Sequence, residues 1–229
     1  MRRFSPARPV GRTASRVLPV LFLLLLVPGA APLEAQSASA ALSYRKVFKD
    51  STPELVEIHL RDDGAATCDI RQLDDDPDPK PLEVSPAVVA KIFELAAELN
   101  HFRDADLDVK RRIANLGQKT FGYKRGNEAY ETTFNYTTNQ AATQLMNIFE
   151  GLGRQQEHLA LLERRVRYDR LGLNDALLRL EIDLNRKIIP EPERLLPVLE
   201  TIANDTRVIE MARQRARALV ERIRSPRPS

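Results

Sequence analysis

Apolar residues recur at every second position over residues 54–61, where Val56, Ile58 and Leu60 alternate with Glu57, His59 and Arg61. Period two is the mark of a half-buried strand. Asp62-Asp63-Gly64 follows as a turn, since glycine takes the positive φ that tight hairpins need. Ala66, Cys68 and Ile70 then alternate with Thr67, Asp69 and Arg71, completing a predicted hairpin. Residues 74–81 carry three prolines among like charges and predict a loop tip.

The period then changes to that of a helix. Ser85 and Pro86 read as N-cap and first helical residue, and Val88, Val89, Ile92, Phe93, Leu95, Ala96 and Leu99 form one apolar stripe. Asn100 reads as its end. A second hairpin is expected from 120–124 and 130–136 around Arg125-Gly126-Asn127, with Tyr130, Thr132, Phe134 and Tyr136 on a shared face. Helical spacing resumes over 141–150. The fold class this predicts is α+β, a four-stranded mostly antiparallel sheet of two hairpins with helices on one face.

After Gly151-Leu152-Gly153 the pattern is almost wholly helical. Helices are expected over about 155–169, from a capping Asn174 through Leu184, over 195–203, and from Asp205 through Ile223, with Pro190-Glu191-Pro192 as a break. The last pair resembles a single HEAT-type helical hairpin; one copy implies a style of packing and no activity, because such repeats need about three copies to stand as a solenoid. The expected organisation is an α+β domain at 41–150, a helical extension at 151–224 and a frayed tail at 225–229.

Residues 1–40 have a different character. Five arginines without an acid precede the apolar run Val17–Val27, which ends at Pro28-Gly29 and is followed by small residues. This predicts a secretory signal peptide over 1–40, cleaved after Ala40 because Ala38-Ser39-Ala40 fits the small-x-small rule best, with cleavage after Ala35 as the alternative. The run is shorter than the roughly 20 residues a membrane span needs, so no integral span is expected after cleavage.

That leader changes what the charge means. The whole chain has 35 Lys+Arg against 32 Asp+Glu. Five of those basic residues and one acid belong to 1–40. The remainder is near neutral but polarised, with fourteen basic against nineteen acidic residues over 41–150 and sixteen against twelve over 151–229. The basic residues of the final helix include Arg213, Arg217 and Arg224, an expected interaction face for another envelope protein or an anionic envelope surface. Glu210 and Glu221 lie three or four positions from Arg213 and Arg217, spacings that form intrahelical pairs. No aromatics interleave with these arginines, and nucleic acid is not an expected partner.

Candidate chemistry is sparse. A single cysteine leaves no intramolecular disulfide and no multi-cysteine zinc site, and Cys68 falls on the apolar side of its strand. No Gly-x-Ser-x-Gly or His-Glu-x-x-His occurs, and no motif asks for a cofactor. Gly117-Gln118-Lys119-Thr120 lacks the glycines of a phosphate loop and leads into a strand. Asp104, Asp106 and Asp108 have the first spacings of a calcium loop, but Val109 and Asn115 stand where glycine and glutamate are required. They serve better as acids at the start of a helix over 109–115. Asn135-Tyr-Thr and Asn204-Asp-Thr are formal sequons. The sequence therefore predicts an exported, non-catalytic binding or structural protein; the alternative is a carboxylate-based hydrolase with its site near Asp104–Asp108.

Overall fold

A computed structural model describes residues 39–225; apart from Ser39 and Ala40, the expected leader lies outside the described residues, as does the tail after Ser225. Over the described residues the fold is α+β, with an antiparallel sheet and five α-helices. The sheet has six strands where the periodicity predicts four. The two expected hairpins are β2 (Leu55–Arg61) with β3 (Ala65–Arg71), and β5 (Gln118–Arg125) with β6 (Glu128–Phe134). The first additional strand, β1 (Ala40–Val47), joins them by pairing Tyr44 with Ile58 on one side and with Phe121 on the other. The second, β4 (Lys80–Glu83), occupies the edge beside β3 and takes in part of the expected loop tip. Strand order is β4-β3-β2-β1-β5-β6.

Both edges are blunted against further pairing. In β4, Pro81 opposes Thr67, a position an edge strand tolerates because only one side needs donors. The β6 edge is crossed by the segment after residue 102: Thr132 Oγ1 donates to the Ala105 carbonyl at 2.6 Å, and the Val109 amide to the Tyr136 carbonyl at 3.1 Å. That segment holds no helix over 109–115; its Val109 amide and Ala114 carbonyl are bonded to Tyr136 and Asn135 instead.

Helix α1 (Pro86–Glu98) forms where its punctuation predicts, with Ser85 Oγ accepting from the Val88 amide at 3.4 Å. It gives way at Leu99 to three residues of positive φ, Asn100, His101 and Phe102, which drop the Phe102 ring into the core. α2 (Gln140–Tyr168) is capped by Asn139, whose Oδ1 accepts from the Ala142 amide at 3.0 Å. It runs unbroken through Gly151-Leu152-Gly153, replacing the two shorter helices expected on either side. Its first half packs Leu145, Phe149 and Leu152 with the stripe of α1 against Leu42, Tyr44, Ile58, Leu60 and Phe121 of the sheet. Aromatic rings form the centre of this core: Tyr44 stacks on Phe149 at 5.4 Å between centroids, and Phe121 meets Phe102 at 5.3 Å and Phe134 at 5.2 Å.

The second half of α2 enters another apolar cluster through Leu162, with α3 (Leu173–Asn185), α4 (Leu196–Asn204) and α5 (Glu210–Arg224). Asn174 does not cap α3. Gly172 occupies that position, and Asn174 Oδ1 instead accepts from Arg215 Nε at 3.2 Å. α5 likewise begins at Glu210 rather than Asp205, because Asp205 accepts from both the amide and the guanidinium of Arg207 and so closes a turn. Glu191 ties the two clusters together: its carboxylate accepts from the Ser85 amide at 2.8 Å, and its own amide donates to Gln155 Oε1 at 3.1 Å.

Candidate functional site

A cleft of about 560 Å³ opens between the β1–β2 connection, the middle of α2 and the chain following α3. The β1–β2 connection is held by its own side chains. Ser51 Oγ reaches the Phe48 and Pro53 carbonyls, and the Glu54 carboxylate accepts from the Asp50 amide at 2.7 Å and the Leu73 amide at 3.1 Å. Those two amides hold the Glu54 carboxyl below its usual range.

The floor is α2. Glu150 accepts from Tyr44 Oη and Lys46 Nζ, both at 2.9 Å, which explains a lysine on the inward side of β1. Burial, reinforced by the Glu150 charge, raises the Tyr44 hydroxyl far above its ordinary pKa and keeps it a donor. One turn on, Arg154 bonds Glu157 at 2.9 Å and approaches Asp183 at 3.7 Å, while His158 Nε2 lies 2.8 Å from Asp183. Burial pushes the Glu157 carboxyl up, against the pull of Arg154 and His158. An adjoining cavity of about 460 Å³ shares Thr52, Pro53, Arg154 and Glu157 with the first.

The far wall follows from how α3 stops. The Ile188 amide bonds the Asp183 carbonyl and the Lys187 amide the Leu184 carbonyl, with Lys187 at φ 55°. This is the left-handed ending usually filled by glycine. It leaves Arg186 and Lys187 exposed at the cleft mouth, with no carboxylate within 4.0 Å among the described residues. Phe48, Val56 and Ile188 supply apolar lining. The cleft thus offers two uncommitted cations and a short apolar wall, whereas Glu54 and Glu150 are engaged within the protein.

The residues singled out from sequence lie elsewhere. Asp104, Asp106 and Asp108 line neither cavity. Asp106 pairs with Lys110, and Asp108 Oδ1 accepts from the Asn135 and Tyr136 amides at 3.0 and 3.1 Å, bonds that depress its pKa. Among the described residues no three His, Cys, Asp or Glu side chains gather as a metal site. Lys119 is buried and donates to the carbonyls of Leu116, Gly117 and Asn135. Cys68 is buried, and loss of solvent, with Glu157 and Asp69 adding to it, pushes its thiol up to about 12. A thiol so raised is a poor nucleophile.

On α5, Arg213 pairs with Glu210, and Arg224 crosses to Glu200. Arg217 turns to Glu210 and the Ala203 carbonyl rather than to Glu221. The three arginines are thus drawn into contacts within the helical cluster. The charge polarity of the chain is bridged at one described ion pair, Arg194 with Glu83 at 2.5 Å. Among the described residues, no helix is long and apolar enough to cross a membrane. No local motif marks Glu150, Arg154, Glu157 and His158 in the sequence, although their spacing places them on one helical face once α2 is carried through its glycines. No protein-family model and no curated protein sequence matches the chain.

Proposed function

We propose that this is an exported, non-catalytic binding protein whose ligand is a small organic anion seated in the cleft. The observation that carries the reading is the pairing of exposed, uncommitted Arg186 and Lys187 with the apolar wall of Phe48, Val56 and Ile188. Cations without a protein partner are free to take a carboxylate or phosphate, and the wall selects for an attached apolar group. Thermal unfolding in the presence of octanoate, phenyl phosphate and inorganic phosphate tests this. The first two should raise Tm, with phosphate alone weaker, and Arg186→Glu with Lys187→Glu should weaken the response at least about tenfold. A panel without effect, or a shift that survives the double reversal, refutes it.

Export rests on the leader pattern of residues 1–40. Ala40 is buried in β1, its amide donates to Asp62 Oδ2 at 2.8 Å, and Ser39 Oγ bonds Asp62 Oδ1 at 2.5 Å. Processing after Ala35 keeps all of these contacts, whereas processing after Ala40 removes them. The intact mass of the exported chain should therefore correspond to a start at Gln36; a start at Ala41 contradicts this.

A further inference from the structure

We infer that the end of the helical cluster formed by the α2–α3 and α4–α5 corners is a docking surface for an anionic lipid bilayer. Tyr168 and Leu171, each 81% exposed, project from the α2–α3 corner. Ile209 and Met211 are exposed at the α4–α5 corner, at 42% and 59%. Arg170 Nε lies 3.5 Å from Asp205 Oδ2 and Arg215 Nε bonds Asn174, so the two corners share one end of the cluster. Four of the eight exposed large apolar side chains of the described protein belong to this end. Isolated exposed leucines need no explanation; a gathered set that includes the two most exposed does.

The unpaired arginines beside these side chains argue for the occupant. Residues 163–171 hold four arginines against two acids, and residues 205–211 at the other corner one arginine against two. Arg165 and Arg170 are turned inward, to Asp169 and Asp205, but Arg164 and Arg167 have no carboxylate within 4.0 Å among the described residues. An arginine pair beside a tyrosine and aliphatic side chains suits a bilayer surface. Tyrosine favours the headgroup level, the aliphatic groups enter the acyl boundary, and arginines meet anionic lipid. The inference does not depend on the cleft or on its ligand.

Co-sedimentation of the full chain with vesicles tests it, using pure phosphatidylcholine against phosphatidylcholine containing 30% phosphatidylglycerol, at 50 and 500 mM salt. Retention is compared on chains carrying the leader and on chains from which residues 1–35 have been removed, so that binding by the leader is measured separately. The wild type should be retained on the anionic vesicles and released by salt. Arg164→Glu with Arg167→Glu, and separately Tyr168→Ser with Leu171→Ser, should each lower retention at least about tenfold. These positions are exposed, so Tm should hold and exclude misfolding as the cause. Equal retention of variants and wild type overturns the inference. So does concentration-dependent dimerisation, by light scattering, that disappears in Tyr168→Ser with Leu171→Ser, since a second copy would then cover this end.

Discussion

Phe149→Ala should lower the free energy of unfolding by about 3–5 kcal/mol, the range for removing a large aromatic side chain from a closed core. Phe149 is wholly buried on α2, lies parallel to the Tyr44 ring at an interplanar angle of 8°, and approaches Phe121 at 6.4 Å. Its loss leaves a hole bounded by a helix and by central strand β1, which is held on both sides by full ladders and cannot move in to fill it. It also strips cover from Tyr44, whose hydroxyl is committed to Glu150. Since small domains are stable by only about 5–15 kcal/mol, the variant should unfold at much lower urea with an unchanged m-value. Tyr168→Ala, at an exposed site, should stay within about 0.5 kcal/mol of wild type. A loss below about 1.5 kcal/mol for Phe149→Ala would mean that the aromatic core is loosely packed.

Phe149 belonged to a helical stripe visible in the sequence, and so did most of what packs near it. Ser85-Pro86 announced α1, and two alternating runs announced β2–β3 and β5–β6, because caps, turns and faces are written within a few residues of each other. β1 was not legible. Its alternation rests on Leu42 and Tyr44 and then meets Lys46, a charge on the inner face that makes sense only through Glu150, far along the chain. Its first residue also sits in the small-residue stretch that reads as the end of a leader. β4 was masked by prolines, which lower strand propensity in general but are tolerated at an edge.

The cleft was less legible still. Its walls come from residues 46–56, 147–157 and 186–188, and no short motif spans such separations. The spacing of Asp104, Asp106 and Asp108 is local and so resembles a site, yet the partners of Asp108 are backbone amides about 27 residues later. A run of acids says little about whether carboxylates converge. The same holds for the arginines of α5: their number is written in the sequence, but which of them meet Glu200 or Glu210 is settled by packing.

The glycines of α2 show most directly how one local signal can mean two things. Glycine in a helix interior costs about 1 kcal/mol relative to alanine, so Gly151-Leu-Gly153 reads as a break. In the folded protein, an added Cβ at Gly151 would stand 2.4 Å from the Ile188 carbonyl oxygen and 3.0 Å from Pro190 Cδ. Both belong to a backbone segment that also carries Glu191, tied to Gln155 and Ser85, and it cannot swing aside freely. Gly151→Ala should therefore destabilise by about 1–3 kcal/mol despite its better helix propensity, lowering Tm by about 3–10 °C. Gly153→Ala differs: its Cβ would meet only Val56 Cγ1, at 3.2 Å, a side chain able to shift by a few tenths of an ångström. There the propensity gain should offset the contact and leave Tm within about 2 °C of wild type. Displacing residues 188–190 would also carry Arg186 and Lys187 away from α2, so Gly151→Ala should weaken octanoate binding while Gly153→Ala preserves it. If both alanines raise Tm equally, the 188–190 segment does not rest on α2, and the cleft has no wall at that end.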